Sequence, residues 1–576
     1  MKLNRRQFLT NAAAAGALAA GAAGTAMAGE ATTPGMPEKW DRETDVVVVG
    51  SGSIFSAALR AHDEGLDVLI LEKHPTWFGG TTAYCGGGMA CPNSYLALEA
   101  GCREIPRDLI KKYMMDVAEG QTTEELVDMM LDNCSDTIKY LNEECGFQWK
   151  SFGVRPEMAY NFYYPFPEIE DEYSDTPCHV VMGTYEPTGA NMGGAIIAYA
   201  KDAIDARGIE VLMGTAATKL IYSGNPALGD GEVVGVWATD QDGNQIAIKA
   251  RYAVVLGTGG FDFNKEMVKH YLNHPVYATT AIPTNTGDGH IMAAELGANM
   301  RNMNKAFWFA FNVFDDLETY SAYDVTSNEK GGCAQNADVD VNLAMIHPGQ
   351  CGCFMVNKHG ERFMCEGDSY DLGGRAFDAY DTARREWRNI PAFVITDQAS
   401  CRSTGGASLK SMVESGEFPK WMHVFDTIEE LADGMGINKK KLLATVEEWN
   451  AACAEGVDEE YLRGEGTWDR YTCGDASRVE SGEIKNPCMA PLPDQGPYYC
   501  FAVYPGMMAT AGGLEINANA QVMNVRGEAI PRLYAGSNCI ANTMGRGYPT
   551  GGTTIANGLV VGYVAANHIA TLEPWE

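Results

Sequence analysis

The sequence predicts an α/β protein: a parallel-sheet domain assembled from both ends of the chain, with an α+β domain inserted between the two parts. Three observations predict it. An apolar β-branched run, Asp45-Val46-Val47-Val48-Val49, ends in Gly50-Ser51-Gly52. A second run, Tyr252-Ala253-Val254-Val255-Leu256, ends in Gly257-Thr258-Gly259-Gly260. Past about residue 495 a glycine-rich, strand-like texture resumes and closes in an apolar helix, Thr553 to Ile569, after a long stretch of less regular, aromatic-rich sequence. Short apolar runs bounded by glycine read as strands buried on both faces, the condition of a parallel sheet.

The first run opens a strand–turn–helix–strand unit. A helical stretch covers 53–64, and Leu66-Asp67-Val68-Leu69-Ile70-Leu71-Glu72 follows as the next strand. Glycines at the turn let the backbone pass close to a pyrophosphate, and the helix N-terminus supplies amides and a favourable dipole. Glu72, 20 residues after Gly52, is placed to accept hydrogen bonds from a ribose diol, which makes the unit a Rossmann-type dinucleotide site. Phe55 stands where the third glycine of that motif allows close helix–strand packing, so the pyrophosphate turn is open to distortion. Helices are expected over about 106–145, with a capping box at Thr122 and Glu125 and a stop at Gly146. The texture changes over 282–490, where helical segments fall around 427–455. The resulting division is a leader at 1–28, a linker at 29–43, the first part of the nucleotide domain at 44–281, the inserted domain at 282–490 and the second part at 491–576.

Composition narrows the function. The 576 residues imply two or three folded units, and 45% hydrophobic with 21% charged residues is globular. Sixty-four glycines exceed the usual ~7% without a collagen period. Forty-three basic against 76 acidic residues give a net charge of −33, which excludes a nucleic-acid partner, because phosphate neutralisation needs clustered cations. The chain opens Met1-Lys2-Leu3-Asn4-Arg5-Arg6-Gln7-Phe8-Leu9-Thr10, runs through an Ala/Gly-rich apolar stretch and reaches Ala26-Met27-Ala28, an A-x-A cleavage signal. The paired arginines resemble a twin-arginine export signal, with an ordinary Sec signal as the alternative. The expected location is the periplasm or the outer face of the cytoplasmic membrane. The apolar stretch is shorter than the ~20 residues of a spanning helix, and no transmembrane segment is expected in the mature chain. Sixteen scattered cysteines contain no C-x-x-C, C-x-x-C-H or H-E-x-x-H pattern. No metal site is therefore assigned; a dispersed iron–sulfur ligand set and disulfides stay open.

Glu72-Lys73-His74-Pro75-Thr76-Trp77-Phe78-Gly79-Gly80-Thr81-Thr82-Ala83-Tyr84-Cys85-Gly86-Gly87-Gly88 resembles a signature of flavoproteins related to fumarate reductase flavoprotein subunits and 3-ketosteroid Δ1-dehydrogenases. Further segments fall in family order: 256–261, Thr286-Gly287-Asp288-Gly289-His290, Phe354-Met355-Val356-Asn357, Gly360-Glu361-Arg362-Phe363 and Leu533-Tyr534-Ala535-Gly536-Ser537-Asn538. The resemblance implies FAD as cofactor. Its binding residues would be Gly50, Gly52, Ser53, Glu72, Lys73, Gly79, Gly80, Thr81, Thr82, Gly87, Gly88, Ala217, Gly259, Asp288, Asn538, Thr554 and Ile555.

The chain departs from the fumarate reductase pattern at three points. Tyr370 stands where that branch has its proton-donating arginine, Ala509 where it has a histidine, and Pro549 where it has a carboxylate-clamping arginine. Arg546 is nearby, as a substitute clamp or a surface arginine. The same positions resemble the ketosteroid dehydrogenase branch. There Tyr370 handles the substrate proton, Tyr548 and Gly552 polarise the ketone, and a tyrosine from Phe162-Tyr163-Tyr164-Pro165 supports the first. Tyr164 is taken for that role, with Tyr163 as the alternative. Packing competes for each tyrosine singly, and the aromatics Phe307, Trp308, Phe309 and Phe311 divide between a pocket and the core.

The chemistry is coherent on its own terms. A flavin moves a hydride to or from the carbon β to a carbonyl, a second group moves the α proton, and donors at the carbonyl oxygen stabilise the enolate. Tyrosine, with a pKa near ~10, donates readily at neutral pH and accepts poorly, which favours C=C reduction over dehydrogenation. The reading is an exported FAD oxidoreductase acting on a hydrophobic, steroid-like ketone or enone, exchanging electrons with a membrane or soluble carrier. A reductase of an unsaturated acid or lactone, relying on Arg546, and a flavin electron-transfer subunit without substrate chemistry are the alternatives.

Overall fold

Val46, Val47 and Val48 are wholly buried, so the strand Arg42–Val49 has both faces covered and lies inside the sheet. Residues 35–151, 163, 164, 166, 172, 173, 176–226, 228–313, 343–345, 351–397, 400, 412–418 and 421–576 are described by the structure, a computed structural model. The leader at 1–28, Phe162, Pro165, Cys333 and Cys401 lie outside them.

Five strands run parallel in the order Ala529–Ala535, Gln245–Leu256, Arg42–Val49, Val68–Glu72 and Glu210–Met213. The register sets Val49 opposite Leu71 and Leu256, and Leu256 opposite Ala535. The turns at Gly50, Gly257 and Gly536 therefore leave the sheet at one edge, where open α/β sheets bind ligands. Gln521–Met523 adds an antiparallel edge, and the hairpin Ala216–Tyr222/Val233–Thr239 pairs onto Gln245–Leu256.

Phe55 does not distort the turn. It is fully buried and stacks on Phe147 at 5.7 Å between ring centroids, and its N–H donates to the Gly52 carbonyl at 2.9 Å. Close packing of its helix, Phe55–Asp63, comes from the far end of the chain. The closing helix Thr553–Ile569 meets it through Gly558 and Gly562; a Cβ at Gly562 would lie 3.0 Å from the Ala57 nitrogen. Ser56 Oγ donates to the Leu559 carbonyl at 2.8 Å across the same contact.

A second, antiparallel sheet runs Leu343–Met345, Ala306–Val313, Tyr498–Thr510, Ala392–Asp397, Phe354–Asn357. Its central strand Tyr498–Thr510 lies beyond the boundary expected at 490, so the chain returns to the first domain only after Thr510. The two domains are bolted there: Thr510 N–H donates to Asp262 Oδ1 at 2.7 Å, and Phe261 N–H to Thr510 Oγ1 at 3.0 Å. A small sheet, Gly88–Ala90, His179–Met182 and Trp149–Ser151, reaches the closing helix through Ala90 N–H and the Gly552 carbonyl, 3.2 Å apart.

The helices expected over 106–145 are Arg107–Ala118 and Glu124–Glu143. The cap is Thr123, one residue later than expected, accepting from Leu126 N–H at 3.4 Å. Thr122 instead spends its hydroxyl on the Thr543 carbonyl. Gly146 is left-handed, φ 76°, as a stop requires. Among the described residues no helix is long and apolar enough to cross a membrane.

Candidate active site

The glycine edge of the parallel sheet opens onto a cavity of about 380 Å³ that extends to the second sheet. Gly50 turns the chain at φ 108°, and a Cβ there would crowd the Gly257 carbonyl, 2.9 Å from its carbon. Beyond the turn, Glu72 is 5% exposed. One carboxylate oxygen accepts from Ser51 N–H at 3.2 Å and from the Ser51 hydroxyl, the other from His74 N–H at 2.7 Å. Lys73 Nζ meets Asp288 Oδ2 at 2.8 Å and Thr286 Oγ1 at 2.7 Å. Thr82 Oγ1 accepts from Ser53 N–H at 2.9 Å, pinning the first helix entry. From the far end of the chain, Gly552 (φ 80°) aims the closing helix so that Thr554 and Ile555 line the cavity. The first amides of a helix have no partners within it. Asn538 Oδ1, also at this wall, is buried with no hydrogen-bond partner among the described residues.

Every residue expected at the cofactor lines this cavity except Gly79 and Gly87. Both stand behind the wall as packing positions: Gly79 N–H donates to Ser51 Oγ at 2.7 Å, and Gly87, at φ 72°, leaves 2.5 Å between a hypothetical Cβ and Met192 Cα.

At the other end three tyrosines from distant segments converge. The rings of Tyr370 and Tyr548 are 5.5 Å apart, and Tyr163 lies 5.5 Å from the first and 5.6 Å from the second. The Tyr163 and Tyr370 hydroxyls are 3.5 Å apart. The role assigned to Tyr164 is corrected: its hydroxyl donates to Asp371 Oδ2 at 3.2 Å and does not line the cavity, whereas Tyr163 does. Of the pair, Tyr163 is the one whose ring and hydroxyl face Tyr370. Phe309 stacks on Tyr370 at 5.1 Å and Phe307 packs on Tyr548 at 5.3 Å. Trp308, on the opposite face of that strand, packs against His274 at 4.1 Å. Arg546 does not line the cavity; its Nη1 pairs with Glu119 at 2.9 Å.

The glycine cradle, the shielded carboxylate, the aimed helix and the orphaned Asn538 oxygen together fit a flavin dinucleotide. A family model, the FAD binding domain, matches residues 45–555. The chain belongs to the FAD binding domain family. It is 30% identical over 565 residues to 4-oxocyclohexanecarboxylate 2-dehydrogenase of Sinomonas cyclohexanicum, covering 91% of this chain and 92% of that protein. It is 28% identical to 3-oxosteroid 1-dehydrogenase of Mycolicibacterium smegmatis, covering 92% and 97%. The crystal structure of 3-ketosteroid Δ1-dehydrogenase from Sterolibacterium denitrificans in complex with 1,4-androstadiene-3,17-dione shares the fold, with a TM-score of 0.77 at 24% identity over 92% of this chain and 99% of that one. The protein is an FAD-dependent oxidoreductase acting on CH–CH groups, of the steroid dehydrogenase and fumarate reductase family.

The FAD enzyme's tyrosines are electrostatically distinct from free phenols. Burial, reinforced by the neighbouring Tyr163 and Tyr548, pushes the Tyr370 hydroxyl well above the ordinary tyrosine range. Burial also raises Tyr548, opposed by hydrogen bonds with Tyr370, Thr554 and the Gly552 backbone. Sequence reasoning missed His179, Cys85, Met508 and Ser51, all of which line the cavity. His179 carried no motif; burial lowers it to about 4, so it is a neutral wall residue. A raised acid stays protonated as pH rises. Any step in which Tyr370 gives up a proton should therefore keep a constant rate from pH 6 to 9 in stopped-flow traces; an alkaline fall with an apparent pKa inside that range would count against it.

Proposed function

We propose that the enzyme reduces the C=C bond of hydrophobic cyclic enones, steroid-like 3-ketones among them, and runs the reverse dehydrogenation less readily. The observation that carries this is the convergence of Tyr370, Tyr548 and Gly552 in one apolar recess that, among the described residues, contains no arginine. Bound FAD supplies hydride exchange at its N5. The Tyr548 hydroxyl and the Gly552 amide hold the ketone oxygen and stabilise the enolate that develops there. Tyr370 delivers the proton to the carbon α to the ketone, and Tyr163 holds its hydroxyl in place. Phe309 and Met508 exclude water and match an apolar ring system. The relatives' names, an oxocyclohexane and an oxosteroid dehydrogenase, fit this substrate class.

The test is anaerobic. The flavin of the purified protein is reduced and mixed with 1,4-androstadiene-3,17-dione or with fumarate. Reoxidation by the dienone alone supports the reading; reoxidation by fumarate alone overturns it in favour of an acid reductase. Because Arg546 is already paired with Glu119 outside the recess, Arg546→Gln should leave the dienone rate within about two-fold, the scale of a neutral surface change.

The same proposal places the enzyme outside the cytoplasm by the twin-arginine route, its electrons drawn from a membrane or soluble carrier in place of cytosolic NADH. Arg5→Lys with Arg6→Lys should leave uncleaved, flavin-loaded precursor in the cytoplasm, and unchanged fractionation would refute the route.

A further inference from the structure

Tyr370 and Tyr548 come from segments far apart in the chain, yet their rings stand 5.5 Å apart. Tyr370 opens a short helix, Tyr370–Arg375, that lies directly on the strand Ala306–Val313. At Gly374 the approach is so close that a Cβ would sit 2.6 Å from the Phe309 nitrogen. Asp371, fully buried, fastens the helix to that strand, accepting from Trp308 N–H at 3.1 Å and from the Tyr164 hydroxyl at 3.2 Å. Its carboxylate also meets Arg375 Nη2 at 2.6 Å. The same guanidinium nitrogen donates to the backbone carbonyl of Arg546, two residues before Tyr548. On its other side that segment rests on a helix end, where a Cβ at Gly547 would lie 2.6 Å from the Val117 carbonyl oxygen.

We infer that Asp371 and Arg375 are positioning residues, a strut joining the two tyrosine-bearing segments and fixing the spacing of Tyr370 and Tyr548. The inference rests on the proposed roles of those tyrosines. A largely buried guanidinium nitrogen that donates to two acceptors holds both in the plane of a rigid group, and a misplacement of about 1 Å in a catalytic pair costs on the order of 10²-fold in rate. Arg375 also meets exposed Glu119 at 3.5 Å. The same carboxylate pairs with Arg546 Nη1 at 2.9 Å, so this outer leg also reaches the Tyr548 segment, but through partly exposed groups, where an ion pair contributes little.

The experiment compares flavin reoxidation by 1,4-androstadiene-3,17-dione in Arg375→Met, Glu119→Gln, Tyr370→Phe and the Arg375→Met/Tyr370→Phe double variant. Arg375→Met should slow the wild-type rate by about 10–100-fold with FAD retained, on that same estimate of misplacement, and Glu119→Gln should leave it unchanged. In the Tyr370→Phe background the same change should cost several-fold less, because residues that act as a unit are not additive. An equal cost in both backgrounds would assign Arg375 to the fold and overturn the inference. An unchanged Tyr370→Phe rate would overturn the proposed function instead. A crystal structure of Arg375→Met reads the geometry without any substrate: the ring separation should grow by about 1 Å, and an unchanged separation defeats the strut. Should that variant not fold, Asp371→Asn, which keeps the shape and loses the charge, is read in the same way.

Discussion

Tyr370→Phe should slow reoxidation of the reduced flavin by a dienone by at least about 100-fold, the lower end of what a positioned general acid contributes. The phenyl ring keeps the stack on Phe309 and the edge contact with Tyr163, so FAD content and thermal midpoint should hold. What is lost is the one hydroxyl that burial and two tyrosine neighbours keep protonated. On the proposed roles, Tyr548→Phe removes a donor to the ketone oxygen, so it should weaken substrate binding as well as turnover. A Tyr370→Phe enzyme within three-fold of wild type, on stopped-flow traces, would reassign the proton to another group.

Arg463→Met should cost about 3–5 kcal/mol of stability, the usual penalty for leaving a buried charge uncompensated. Arg463 has no exposed surface and donates to the Cys353 carbonyl at 2.6 Å and to Glu366 Oε2 at 3.0 Å. Arg362 completes the group, meeting Glu366 and Asp458 at 2.8 Å each. Two buried cations thus face two buried carboxylates, and methionine would leave one carboxylate in excess. Burial pushes the Glu366 carboxyl up, and Arg362 with Arg463 pull it down by more, so the net direction is below its ordinary value. Its stabilising contribution is therefore whole above the unfolded value of about 4.3 and is lost as pH falls through the lowered folded value. Arg463→Met should also move acid unfolding to higher pH. A denaturant titration at pH 7 checks the first statement and an acid titration from pH 5 down to pH 2 the second; a loss near about 1 kcal/mol, as for an exposed pair, or an unmoved acid midpoint would contradict them. The network matters to the site because Glu366 lies four residues before Tyr370, and Arg463 lies five before Trp468, whose ring packs 4.2 Å from Tyr163.

The parallel sheet and its glycine turns were legible because they are local: Val46 to Gly52 contains strand, turn and helix entry in one stretch. Tyr370 and Tyr548 were legible through ordered motifs around them. The choice between Tyr163 and Tyr164 was not, since neighbours in an irregular segment share every sequence signal and differ only in direction. Phe55 misled for a related reason. The small residues that allow close packing stand on the partner helix, at Gly558 and Gly562, and no local reading of the motif reaches them. The boundary at 490 failed because Tyr498–Thr510 and the following turns share a β-rich texture, while only hydrogen-bond partners tell which sheet a strand joins.

The closing helix has a consequence for how the molecule is made. Its glycines seat on the first helix and its N-terminus forms one wall of the flavin cavity, so both ends of the chain must be present before a complete cradle exists. At ~5–20 residues per second, roughly half a minute to two minutes separate synthesis of the first helix from that of the last. Throughout that interval the emerging strand Arg42–Val49 has half of its nucleotide site. A complete cradle for the flavin therefore exists only once the closing helix has been made and has docked on the first.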